Sequence, residues 1–344
     1  MQTVKTQRLE ADAPGIALAA ALLRAGRLVA FGTETVYGLG ADAAQPQAIE
    51  AIFAAKGRPR FNPLIAHVAD ADAAFRQVLE TPLARIMADA FWPGPLTLVL
   101  ARRTDSTVCA EAAAGLATLA IRVPSGDAAQ RLLRAVDRPI AAPSANPSGR
   151  VSPSDAVHVL DGLSGRIDAV LDCGPCPVGL ESTVLDLTGE YPVLLRPGGI
   201  AREAIEALLA AHAAPELREP EPGSPTAPAS PGMLASHYAP NLPIRLDASH
   251  VAPNEALLAF GAPLDGAGLV WNLSDGADID EAASRLFAGL RALDAQGAGR
   301  GLTGIAVMPI PAHGLGLAIR DRLRRAAAPR QTGPGQTRSG QTGP

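Results

Sequence analysis

Aromatic residues are scarce: two Trp, three Tyr and seven Phe make up 3 % of the 344 residues. Binders of single-stranded nucleic acid need ring platforms on which bases stack, and this chain offers few. Excess positive charge is also missing, with 30 Lys and Arg against 34 Asp and Glu and a formal net charge of -4. Such a surface has no general attraction to a polyanion, so any basic footprint must be local. Three cysteines are too few for a disulfide framework at this length and imply reduced thiols. The longest apolar runs, such as residues 16–23, are too short to span a bilayer. No charged-then-apolar leader opens the chain. A cytoplasmic protein with no membrane partner is expected. Both common glycine-rich nucleotide loops are absent: there is no Gly-x-x-x-x-Gly-Lys-Ser/Thr, and no Gly-x-Gly-x-x-Gly follows a strand.

What is present is apolar matter for sizeable cores, 47 % of the chain, supplied mostly by Ala, Leu and Val. The length favours two domains. Residues 13–25 read as a helix stopped by Gly26, residues 47–56 as a second and residues 200–212 as a third. Short apolar runs at 28–31, 64–68, 96–100, 118–123, 139–142 and 183–187 are bounded by Gly, Pro or Asn, as strands of an α/β sheet are. Residues 1–212 thus form one unit. Residues 213–240 include the proline-rich stretch 215–231 and read as an extended connector. Strand-like runs at 256–260, 268–271 and 304–308, with helices at 279–295 and 315–328, give a small second α/β domain over 241–329. The tail, 330–344, has no apolar residue and is expected to be disordered.

Four polar segments lie beside predicted strands of the first unit, where loops of an α/β sheet usually build a site. They are Thr33-Glu34-Thr35-Val36-Tyr37-Gly38-Leu39-Gly40, Lys56-Gly57-Arg58-Pro59-Arg60-Phe61-Asn62-Pro63, Pro143-Ser144-Ala145-Asn146-Pro147-Ser148-Gly149 and Gly179-Leu180-Glu181-Ser182-Thr183. Lys56, Arg58 and Arg60 alternate on a constrained loop after a helix, which suits a polyphosphate. The same charges would equally serve as a solvated helix end stabilised by its dipole. Ser144, Asn146 and Ser148 could cradle phosphate or ribose, or simply make a turn. Arg122, beside an apolar run, needs a carboxylate partner, either a ligand or an internal Asp or Glu. His67 by the same logic reads as a core histidine. Cys173-Gly174-Pro175-Cys176 has redox spacing, but Pro177, Val178 and Gly179 make a poor helix start, so no redox role is expected. With only Cys109 as a third thiol, a structural zinc site is not expected either.

Together these segments, with residues 91–96 and 120–124, occur in an order that resembles the threonylcarbamoyl-AMP synthase family in its longer, two-domain form. The stretch Ser230-Pro231-Gly232-Met233-Leu234-Ala235-Ser236-His237-Tyr238-Ala239-Pro240 and the last helix are similar to segments peculiar to that form. The resemblance covers about residues 10 to 328. It implies a YrdC-like α/β fold, an open twisted mixed sheet with a deep groove, and a small C-terminal α/β (Rossmann-like) domain. It further implies a transferase that joins L-threonine, bicarbonate and ATP into threonylcarbamoyl-adenylate and pyrophosphate, a step in tRNA modification.

Carried over residue by residue, Lys56 and Arg58 are the catalytic pair, holding the phosphates with Arg196. A magnesium ion would sit on those phosphates without protein side-chain ligands. Arg122 takes the threonine carboxylate, with Thr35, His67, Ala142 and Ser182 around the amino acid. Asn62, Thr118, Ser144, Ser152 and Tyr238 line the nucleotide. The partners implied are downstream proteins that transfer the threonylcarbamoyl group, with tRNA itself not bound tightly. Two positions depart from the family pattern: Gly32 stands where proline is usual, and Cys173 where glycine is. The competing reading is a non-catalytic RNA-binding factor for ribosome or tRNA maturation using the same groove. A carbamoyl-phosphate-using enzyme with a related domain would carry zinc-finger cysteines, which this chain lacks. The connector, finally, is expected to run back over the groove as a lid.

Overall fold

A computed structural model describes residues 4–220 and 237–329. Most of the expected connector and the whole tail lie outside the described residues. The first sheet contains β1 (Gln7–Glu10), β2 (Val29–Gly32), β3 (Tyr37–Asp42), β4 (Ile65–His67), β5 (Leu96–Ala101), β6 (Thr118–Arg122), β7 (Ile140–Ala141), β8 (Ala169–Asp172), β9 (Thr183–Asp186) and β10 (Val193–Arg196). Their order is β1-β8-β2-β3-β7-β4-β6-β5-β9-β10. Parallel pairs (β4 with β6, β5 with β9) alternate with antiparallel ones (β2 with β3, β5 with β6), so the sheet is mixed. Helices α1 (Ala13–Arg24), α2 (Pro46–Lys56), α3 (Ala71–Phe75), α4 (Pro82–Phe91), α5 (Asp127–Val136), α6 (Ala156–Leu163) and α7 (Arg202–Ala211) accompany it.

Local rules explain the elements. In α1, Asp12 caps the start by accepting from Gly15 N, a contact worth about 1 kcal/mol. Its buried residues Ile16, Ala19, Ala20 and Leu23 recur at helical spacing and pack with Leu132 and Leu133 of α5. Successive residues of a strand point to opposite faces, and here the two faces differ. Leu98 and Leu100 of β5, with Leu119 and Ile121 of β6, face the main core with α2, α4, α6 and α7. On the other face, α1 and α5 cover Val29, Phe31 and Ile140. Farther along that face, over β4, β6, β5 and β9, only a small cluster of Ile65, Val99, Ala120 and Val184 forms. No described helix of this unit packs there, and the groove lies on that bare stretch.

The second sheet is parallel throughout, ordered β11-β14-β12-β13. Its strands are β11 (Ile244–Arg245), β12 (Glu255–Ala259), β13 (Val270–Asn272) and β14 (Gly304–Val307). Helices α8 (Ile279–Gly299) and α9 (Gly316–Ala327) complete its core. The expected two-domain α/β fold is therefore what forms. Residues 214–219, expected within the connector, pack back on the first domain instead. Leu217 is buried, Arg218 bridges to Val193 on β10, and Arg202 pairs with Glu219. An apolar side chain and a salt-bridge partner hold them there, which a spacer would lack. No helix among the described residues is long and apolar enough to cross a membrane.

Candidate functional site

Alternation and register build the groove floor. Ile65 and His67 of β4 stand beside Ala120 and Arg122 of β6, and Thr97 of β5 pairs with Arg122. Ser182, just before β9, exchanges a hydrogen bond with Thr97 between hydroxyls 2.7 Å apart. Walls rise from the flanking loops: Thr35 and Val36 from the β2–β3 turn, Arg58 from the loop after α2, and Ala142, Pro143 and Ser144 after β7. Arg196 at the end of β10 closes one side. Its Nη2 donates to Ser182 O at 2.9 Å and Ser182 Oγ at 3.2 Å. A Cβ at Gly198 would stand 2.4 Å from Glu181 O, so glycine lets the loop after β10 lie directly on the 181–183 backbone.

Each cation is held in its own way. Arg122 is buried, and its Nη2 donates to Glu34 Oε1 at 2.6 Å while Nε donates to Gly94 O at 3.2 Å. Of the two partners open to it, the internal acid is therefore present, and it is Glu34. The Arg122 side chain still lines the cleft. Arg58 donates to Pro63 O at 3.1 Å, and burial lowers its pKa to about 10, so it remains charged at neutral pH. Lys56 does not line the cleft. Its Nζ donates to Ser144 O at 2.5 Å and to Asn146 O, and burial, reinforced by Arg58, lowers its pKa well below the usual lysine value. Burial and Arg122 hold His67 at about 3, so its ring is neutral, with Nδ1 3.2 Å from Ile65 O.

Three other nominated residues stand back from the cleft. Ser152 donates to Glu181 Oε1 at 2.6 Å and is fully buried. Asn62 is buried with Oδ1 unpartnered among the described residues. Thr118 lies at the opposite end of β6 from Arg122, paired with Ala101. Glu34 and Glu181 carry no role in the sequence reading, although both lie inside the segments it singles out. Burial pushes the Glu181 carboxyl up, but Arg322 and Arg196 together hold it below its usual value.

His237 and Tyr238 enter the cleft from the far end of the connector. Tyr238 stacks on Phe287 of α8, ring centroids 5.6 Å apart, and meets His237 edge-on at 4.1 Å. Its φ of +62° is left-handed, a conformation an aromatic residue adopts only when its surroundings impose it. With these rings in place the cleft retains about 40 Å³, room for a few waters. A larger cavity of about 770 Å³ lies elsewhere. Arg76, Arg103 and Arg138 line it together with Asp70, Asp105 and Asp137, so its charges balance in number, and no candidate site residue takes part. The chemistry selects the smaller cleft.

Residues 21–198 match the family described as "Telomere recombination", and residues 200–328 match "Threonylcarbamoyl-AMP synthase, C-terminal domain". The chain is 40 % identical to threonylcarbamoyl-AMP synthase of Bacillus subtilis, covering 94 % of this chain and 96 % of that one. It is equally identical to the enzyme of the same name from Pyrococcus abyssi, over 91 % and 94 % of the two chains. The crystal structure of P. abyssi Sua5 complexed with L-threonine superposes with a TM-score of 0.83 at 37 % identity, covering 94 % of this chain and 97 % of that one.

Proposed function

The chain belongs to the threonylcarbamoyl-AMP synthase family, and from that premise we propose that its groove condenses L-threonine, bicarbonate and ATP to threonylcarbamoyl-AMP and pyrophosphate. The observation that carries this reading is the convergence of Arg58, Arg122 and Arg196 on one helix-free stretch of sheet. Both reactants are anions, so bringing them together requires fixed positive charge held out of water.

In the proposed reaction bicarbonate loses hydroxide to give carbon dioxide, the threonine amine adds to its carbon, and the amine proton leaves with that hydroxide as water, giving a carbamate. A carbamate oxygen then bonds to the α-phosphorus as the bond to the β-phosphate oxygen breaks, and pyrophosphate leaves. Arg58 and Arg196 face the triphosphate. Arg122, braced by Glu34 and the Gly94 carbonyl, faces the threonine carboxylate. Thr35, His67, Ala142 and Ser182 surround the amino acid, and the neutral His67 ring adds no charge beside the amine. Ser144 and Tyr238 border the nucleotide, with Asn62 and Ser152 behind them. Lys56 holds the Ser144–Asn146 turn in place by its carbonyls.

A magnesium ion fits this arrangement only as cargo on the phosphates. Glu34 and Glu181 already accept from arginines, and no group of three metal-binding side chains occurs among the described residues. Mg²⁺ favours phosphate oxygens and water, and when bound it neutralises phosphate charge. With room for only a few waters between them, His237 and Tyr238 would swing out for ATP and back to exclude water from the adenylate. The connector would then act as a lid. The product would pass to proteins that transfer its threonylcarbamoyl group to tRNA in the cytoplasm.

Pyrophosphate release tests the reaction. It is expected only when ATP, L-threonine and bicarbonate are all supplied. Release that ignores threonine or bicarbonate, or binding of RNA with no release at all, would reject it.

A further inference from the structure

The second domain reaches the groove through one buried side chain. Arg322 of α9 is wholly inaccessible to solvent, on the same face of the helix as Ala318, Ile319, Leu323 and Ala326. Its Nε donates to Glu181 Oε2 at 2.9 Å, and its Nη1 donates to Pro197 O and to Asp321 Oδ2, both at 2.8 Å. Nη2 is buried and without a partner among the described residues. These bonds fall on two particular places. Glu181 directly precedes Ser182, and Pro197 directly follows Arg196. One guanidinium therefore ties together the two backbone segments that present Ser182 and Arg196 to the cleft, and those two side chains in turn bond each other.

We propose that Arg322 is a positioning residue: by bridging Glu181 and Pro197 it fixes Arg196 at the phosphate side of the groove and Ser182 beside the amino acid, so that the second domain completes the site. The inference rests on the reading that Arg196 faces the triphosphate. Removing Arg322 leaves Glu181 buried with Ser152 and the nearby charge of Arg196 as its remaining partners. A buried carboxylate that loses one cation turns to the next. Arg196 is then drawn from Ser182 towards Glu181, and the shift is felt where the phosphates lie. Lysine at this position keeps the charge but cannot span two acceptors with a planar fork.

The test uses full-length Arg322→Gln, Glu181→Gln and the double variant. In pyrophosphate release, Arg322→Gln is expected to lower kcat/KM for ATP about ten- to a hundredfold, mainly through KM. Made in the Glu181→Gln background it should add less than about twofold, because both act through one bridge. Hydrogen exchange of the ligand-free proteins gives a readout that needs no activity. Amides of β9 and β10 should exchange faster in Arg322→Gln, while those of β2 and β3 keep their wild-type rates. If Arg322→Gln does not fold, Arg322→Lys replaces it in every measurement. Losses that multiply in the double variant, or exchange that is unchanged or raised evenly over the first domain, would overturn the proposal. A wild-type chain without threonine-dependent release would instead reject the reaction, and the exchange data would still decide the bridge.

Discussion

Gly32 and Cys173, met in the sequence as two unrelated departures from a family pattern, touch each other. A Cβ on Gly32 would lie 2.8 Å from Cys173 Cβ and 3.1 Å from Tyr37 Cζ. Tyr37 is pinned there, donating to Gly174 O at 2.8 Å and accepting from Cys173 N at 2.9 Å. Any side chain at position 32, a proline ring included, would begin against the Cys173 Cβ, so the two positions are coupled through this contact. Gly32→Pro alone should destabilise the chain by about 1–3 kcal/mol through overpacking. Adding Cys173→Gly should recover most of that loss. Chemical denaturation of the three variants measures the coupling, and strictly additive effects would contradict it. Burial raises the Cys173 pKa to about 11, which leaves this thiol protonated and poorly nucleophilic at neutral pH.

At the scale of elements, the end of α2 separates two cations that stand together in sequence. Gly57 caps the helix with φ +62°, and the turn sends Arg58 into the cleft while Lys56 goes to the carbonyls of the neighbouring loop. Their substitutions should therefore differ. Arg58→Ala should cost about ten- to a hundredfold in kcat/KM for ATP with the smaller change in melting. Lys56→Ala leaves the half-buried Ser144 carbonyl and the buried Asn146 carbonyl without this donor and should lower the unfolding midpoint most. Melting curves and pyrophosphate release on both variants check this, and an unaltered midpoint in Lys56→Ala would refute it.

Much of this scale was legible in the sequence. Strands β2, β4, β5, β6 and β9 are short apolar runs, and α1, α2 and α7 have plain helical patterns with stops. By contrast β3 read as a polar functional loop, because Gly38 and Gly40 are poor strand formers. Those glycines are needed for contact: a Cβ at Gly40 would stand 2.9 Å from Phe31 Cε1. Helix α5, with its one-sided burial of Leu132, Leu133 and Val136, could have been found by spacing alone. Within the site, Glu34 and Glu181 were invisible as functional groups, since acids in a groove for anions make sense only once their arginines are located. Arg322 did leave a signal: it is the cation that falls on the apolar stripe of α9.

For the molecule as a whole, the second domain is bound to the first at several places. Arg291 donates to Val151 O and to Ser152 O, and Gly314 N donates to Glu203 Oε1 at 3.1 Å. A Cβ at Gly179 would stand 2.5 Å from Ser284 Cα, so the two backbones are in direct contact. Cutting the chain after Pro220 removes Arg322, His237 and Tyr238 together. The remaining first domain should fold and bind threonine but form little intact adenylate. Calorimetry with threonine and product analysis together check this, and wild-type yield from the fragment would show that the second domain is dispensable for the reaction.

Where the cut is placed matters, because residues 217–219 do more than connect. β10 is the last strand of its sheet, and an outermost strand offers unpaired backbone groups to any other chain. Here Leu194 N donates to Arg218 O at 2.8 Å, and Arg218 N donates to Pro192 O at 2.9 Å. The guanidinium of Arg218 lies over the Tyr191 ring, 3.2 Å from its centroid, and holds the segment down. That short return is an edge guard. A fragment ending at Ala213 would bare β10 and invite sheet-to-sheet aggregation, and its failure would then report on colloidal stability rather than catalysis.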